Sequence, residues 1–168
     1  MGREETRIRA GVLTLSDKGS QGKRFDESGR VVSQMLEDHG YAVVRKLVIP
    51  DDRAKIAGTL VEWVDRERLQ LIVTSGGTGL SPTDVTPQAM GDVIDYEVPG
   101  MAEAMRAESL KKTPHAMISR AMAGVRDACL IINLPGSPRA ARENLMVVLT
   151  ALDHALSKLG GDPSDCAV

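Results

Sequence analysis

The stretch Leu69-Gln70-Leu71-Ile72-Val73-Thr74-Ser75-Gly76-Gly77-Thr78-Gly79 decides the fold. It is a short apolar run that ends in a glycine loop. Such a run reads as a strand buried on both faces, and strands of that kind belong to parallel sheets covered by helices. Toward the N-terminus, residues 8–15 read as a strand and residues 16–22 as a loop rich in turn formers. A helix follows, with Ser28 as its cap, Val31, Val32, Met35 and Leu36 on one face, and Gly40 as a left-handed stop. Residues 41–49 are β-branched and read as a second strand. Pro50-Asp51-Asp52 then opens a helix whose Ile56, Leu60, Trp63 and Val64 keep helical spacing.

Toward the C-terminus the alternation continues. Thr86-Pro87 starts a helix, with Thr86 as cap and Pro87 at the first helical position. A further helix is expected over residues 99–112, and the most apolar strand of the chain over residues 128–133. Pro135-Gly136-Ser137-Pro138 ends that strand and feeds a last helix, where Leu145, Val148, Leu149, Leu152, Leu156 and Leu159 form an apolar stripe. The expected fold class is therefore α/β, a three-layer α/β/α arrangement around a mostly parallel sheet. A length of 168 residues suits a single domain, residues 1–168, with its core over about 7–159 and a loose tail at 160–168.

Composition excludes several functions. Charged residues make up 26% and the net charge is −2, with no basic stripe, which argues against a nucleic-acid partner. Aromatic residues are only 2%, too few for a platform that stacks single strands. No apolar stretch is long enough to span a membrane, and residues 1–6 lack an apolar signal segment, so a cytoplasmic location is expected. Cys129 lies in an apolar run and Cys166 near the end, which suits two free thiols. His39, His115 and His154 are scattered and suit structural or exposed positions. The methionines, Met101 and Met105 among them, read as core filling.

The chemistry is expected at the carboxyl ends of the strands, where open α/β sheets bind ligands. Four loops leave such ends, at residues 16–22, 50–52, 75–86 and 133–138. The glycines at 76, 77 and 79 suit either a tight turn or a cradle whose backbone amides hold phosphate. A Walker loop is excluded because no lysine follows, and a dinucleotide fingerprint because Pro82 stands where its third glycine belongs. Asp51 and Asp84 suit either helix-start carboxylates or a pair that holds Mg²⁺ together with substrate phosphates. Asn133 offers a donor and an acceptor that suit the edge of a heterocycle, and the segment after it equally suits a rigid connector.

Six segments in order, Thr74 to Gly79, Asp84-Val85-Thr86-Pro87, Val98-Pro99-Gly100, Glu108-Ser109-Leu110, Ser119-Arg120 and Asn133 to Pro138, resemble the molybdopterin-binding domain of molybdenum cofactor biosynthesis. The likeness is strongest to the stand-alone molybdopterin adenylyltransferases and runs from about residue 8 to 159. It implies a homotrimer with one pocket per subunit, substrates ATP and molybdopterin, a need for Mg²⁺, and a downstream molybdenum-insertion protein as partner. It implies catalytic and metal-holding roles for Asp51 and Asp84. It implies substrate contacts from Ser75, Gly76, Gly77, Thr78, Gly79, Thr86, Ser109, Ser119, Asn133, Pro135, Gly136 and Ser137, with Ser16 and Asp17 bordering the nucleotide.

One position departs from the pattern: Thr83 stands where many relatives carry Arg before the motif aspartate. Lys18, Arg120 or Arg139 would have to supply that charge. The departure keeps open an alternative, a non-catalytic molybdopterin carrier of the same pathway. Metal insertion is a third reading, expected of longer chains than this one.

Overall fold

The computed structural model describes residues 7–164. In chain order the elements are β1 (Arg9–Leu15), α1 (Asp17–Ser20), α2 (Glu27–Asp38), β2 (Ala42–Ile49), α3 (Arg53–Val61), β3 (Leu71–Ser75), α4 (Thr86–Gly91), β4 (Tyr96–Glu97), α5 (Pro99–Leu110), β5 (Ala123–Arg126), β6 (Cys129–Leu134) and α6 (Pro138–Leu159). A π-helical turn, Glu62–Arg66, extends α3, and a 3₁₀ turn, Pro114–Ile118, follows α5. The described strands form one six-stranded sheet in the order β2-β1-β3-β6-β5-β4. The first four run parallel, and β5 is antiparallel to both its neighbours.

Helices cover both faces, because side chains along each central strand alternate between two cores. Ala10 and Val12 of β1, Leu71 and Val73 of β3, and Leu130 and Ile132 of β6 pack under α2, α5 and α6. The intervening Leu13, Ile72 and Ile131 pack under α3 and α4, with Trp63 of the π-helical turn. Gly11 is required on that second face: a Cβ there would lie 2.7 Å from the Trp63 ring.

Several local expectations need correction. The loop at 16–22 contains the short helix α1, capped by Ser16, whose hydroxyl accepts from the Gly19 amide (3.0 Å). Asp26, not Ser28, caps α2 by accepting from the Gly29 amide (2.9 Å); the Ser28 hydroxyl donates instead to the carbonyl of Gly136 (2.6 Å). At α4 the cap position is Val85, and Thr86 is already helical, its hydroxyl donating to the Gly76 carbonyl (3.0 Å). In both helices a long-range acceptor takes the hydroxyl away from the local role. The helix at 99–112 ends at Leu110, and the antiparallel strands β4 and β5 were not expected. At the C-terminal end, Asp162 accepts from Ser157 (3.0 Å) and Ser164 (2.7 Å), while Cys166 lies outside the described residues.

Candidate active site

The glycine turn after β3 is the centre of the site. Gly76 and Gly77 both have positive φ, +106° and +66°, a conformation that side chains rarely adopt. Space forbids side chains as well. A Cβ on Gly76 would lie 2.5 Å from the Leu15 carbonyl, and one on Gly77 2.1 Å from the Thr86 hydroxyl. The turn is held from below. The Gly76 carbonyl accepts from Thr86 (3.0 Å) and from the Asn133 amide (3.4 Å), which also donates to Thr74 (2.9 Å). The Gly76 amide donates to the Leu134 carbonyl (3.0 Å). The amides of Gly77, Thr78 and Gly79 donate to none of the described residues. Buried or half-buried amides without acceptors in a left-handed turn suit an anion.

Both candidate carboxylates touch this turn. A Cβ on Gly77 would stand 3.3 Å from Oδ1 of Asp51, and one on Gly79 2.7 Å from Oδ2 of Asp84. Asp51 leaves the end of β2, where its amide donates to Asp17 (3.0 Å). Asp52 next to it caps α3. Asp84 closes a small turn by accepting from the Ser81 amide (3.0 Å). The pKa of Asp51 is raised, first by burial and then by the negative charges of Asp17 and Asp84. Among the described residues no three acidic, histidine or cysteine side chains converge as a ready metal cage. The donor set at the turn is the pair Asp51 and Asp84, and Mg²⁺ is an ion that takes one or two carboxylates and completes its shell with water and substrate phosphates.

The turn separates two clefts. The larger, about 630 Å³, is lined by Ser16, Asp17, Asp51, Gly76, Gly77, Asp84, Gly136 and Ser137 of the expected site. Lys18, Arg24 and Phe25 line it too. Its size is ordinary for a small-molecule site. The smaller, about 260 Å³, is lined by Thr78, Gly79, Ser109, Ser119 and Pro135, together with Arg106, Lys112, His115 and Asn144. The loop after β6 borders both, and its Gly136 sits so close that a Cβ would be 3.3 Å from Cα of Gly76.

Three expected contact residues reach neither cleft. Ser75, Thr86 and Asn133 are buried, and Thr86 and Asn133 brace the glycine turn instead. Sequence reasoning missed Arg24, Phe25, Arg106, Lys112, His115 and Asn144. Phe25 carried a signal: it is the chain's only phenylalanine and stands in a polar loop, where it is 73% exposed. Of the three cations considered in place of an arginine at 83, only Lys18 lines the larger cleft. Arg120 clasps the loop from behind, donating to the carbonyls of Gly79 (2.8 Å) and Asp84 (2.5 Å). Arg139 pairs with Glu143 (3.0 Å).

A mostly parallel α/β sheet with a glycine turn and two acidic loops at its carboxyl edge defines a class of small-molecule-binding domain. Within it, the chain belongs to the family described as "Probable molybdopterin binding domain", which its residues 11–154 match. It is 37% identical to the molybdopterin adenylyltransferase of Helicobacter pylori J99 over 160 residues, 92% of this chain and 89% of that one. It is 40% identical to gephyrin of Dictyostelium discoideum over 96% of its own length, but spans only 24% of that protein. The molybdopterin biosynthesis enzyme MoaB of Thermus thermophilus superposes with a TM-score of 0.87 at 48% identity, covering 94% of this chain and 99% of the other.

Proposed function

We propose that the chain is a molybdopterin adenylyltransferase acting in molybdenum cofactor biosynthesis. The terminal phosphate oxygen of molybdopterin attacks the α-phosphorus of ATP. A new P–O bond forms, the bond to the β-phosphate bridge breaks, and pyrophosphate leaves with the electron pair. The observation that carries this reading is the glycine turn with a carboxylate at each end, standing between two clefts. ATP occupies the larger cleft and the pterin the smaller, so their phosphates meet over the turn. The free amides at 77–79 hold phosphate oxygens, and Lys18 and Arg24 offset charge from the larger cleft. Asp51 and Asp84 would hold Mg²⁺, which would supply charge neutralisation at the phosphates.

Similarity to the family extends the reading to a homotrimer in the cytoplasm that hands its product to a molybdenum-insertion protein. Thr83 favours a second reading, a carrier that binds molybdopterin without turnover, because threonine cannot neutralise a phosphate as arginine does. The test mixes the protein with molybdopterin, ATP and Mg²⁺ and follows pyrophosphate. Pterin-dependent release that stops when Mg²⁺ is removed supports the enzyme. Tight pterin binding without pyrophosphate supports the carrier.

A further inference from the structure

The apolar stripe of α6 contains one buried polar interruption that the proposed chemistry does not use. Asn144 is 5% exposed and sits between Ala141, Leu145 and Val148, all core residues. A buried amide costs stability unless its hydrogen bonds are met. Its Nδ2 donates to the Ala140 carbonyl (2.9 Å) and to Oγ of Ser109 on α5 (3.1 Å). The Ala140 carbonyl can only accept, so it fixes which end of the amide faces it. That same end faces Ser109. The Ser109 hydroxyl must therefore accept from Asn144, and its own proton turns elsewhere.

That proton has no taker among the described residues. Helical serines and threonines commonly donate to a carbonyl one turn back, as Thr59 does to Lys55 (2.9 Å). Ser109 makes no such bond to any described residue. Ser109 and Asn144 both line the smaller cleft. We infer that Asn144 is a positioning residue that sets the Ser109 hydroxyl as a hydrogen-bond donor into the smaller cleft, where it meets an acceptor atom, carbonyl oxygen or ring nitrogen, on the bound heterocycle. The inference rests on the reading of that cleft as the pterin side.

Asn144→Asp tests it with little change in shape. A carboxylate accepts from Ser109, so the hydroxyl turns back and is lost to the ligand. The expected result is a rise in the KM for molybdopterin of about 10-fold, matching Ser109→Ala, with the KM for ATP and the kcat within about 2-fold of wild type. Asn144→Ala leaves the hydroxyl free to rotate and should raise the pterin KM only about 3-fold. In a Ser109→Ala background, Asn144→Asp should add less than about 2-fold. Thermal melting of each variant checks folding.

The inference is overturned if Asn144→Asp keeps the wild-type pterin KM. It is also overturned if Asn144→Ala is at least as damaging, which marks a packing role, or if the aspartate effect persists without Ser109, which marks charge repulsion. Failure of the functional reading looks different, because wild-type protein then releases no pyrophosphate with pterin present; if that protein still binds pterin, the same variants are compared by the Kd for pterin, and if it does not, the inference falls.

Discussion

Asp51 illustrates how a carboxylate beside the glycine turn can work against stability. Burial, with Asp17 and Asp84 nearby, raises its pKa above the ordinary 3.8. The fold therefore favours the protonated carboxyl. Its contribution to stability is fully present below the ordinary aspartate range and is lost as pH rises through the raised value. At neutral pH the ionised form is a small cost. Asp51→Asn should raise the Tm at pH 7 by roughly 1–2 °C, a modest gain because solvent screens a half-buried charge. The same change should lower turnover by about 10²-fold. Wild-type kcat/KM should fall at acid pH with a limb set above 3.8, the ordinary aspartate value. Melting curves and rate profiles across pH 4–8, as a rough window for a shifted aspartate, check both outcomes. Asp84 differs. Its oxygen accepts from the Ser81 amide, and the amide oxygen of an asparagine can do the same. Asp84→Asn should leave the Tm within about 1 °C and reduce turnover by on the order of 10²-fold or more. An unfolded variant would make the carboxylate a brace of the turn.

At the level of elements, the alternation of apolar strands and striped helices was legible because burial on both faces leaves continuous apolar runs. The strands β1, β3 and β6 and the stripe of α6 were visible in that way, whereas the edge strand β2, exposed along its middle, was legible from its β-branched residues. The missed strands were not. Tyr96–Glu97 is two residues long, and Ala123–Arg126 contains a glycine, so only their partners make them strands. Caps went astray where a hydroxyl was claimed from far along the chain, as Ser28 is by Gly136. Thr86 is the other such case and gives a test. Thr86→Val keeps the shape and removes the donor, leaving the Gly76 carbonyl only the long bond from Asn133. Denaturant unfolding should show a loss of about 1–3 kcal/mol, and the KM for ATP should rise as the turn loosens.

Across the whole molecule, the sequence showed which loops gather at the carboxyl edge of the sheet but not how they divide. Chain order cannot reveal that Gly76 and Gly77 face one cleft while Thr78 and Gly79 face another. Nor could it show that Arg120 turns its guanidinium onto loop carbonyls. The two cores, by contrast, meet at a sheet whose register the alternating apolar residues specify. Gly11 lies four residues, about 13 Å of strand, before the end of β1 where the site begins. Gly11→Ala would press a methyl against the Trp63 ring and should cost about 1–3 kcal/mol. The KM values of the folded variant should stay at wild type, which separates damage to the core from damage to the site.

Two clefts back to back on one glycine wall also constrain the order of events in time. In the proposed reading ATP lies on one side of that wall and the pterin on the other, so their phosphates meet directly over the turn. We expect transfer in a single step inside a ternary complex. Initial-rate lines for ATP at several pterin concentrations should intersect rather than run parallel. Labelled pyrophosphate should enter ATP only when adenylylated pterin occupies the other side of the wall.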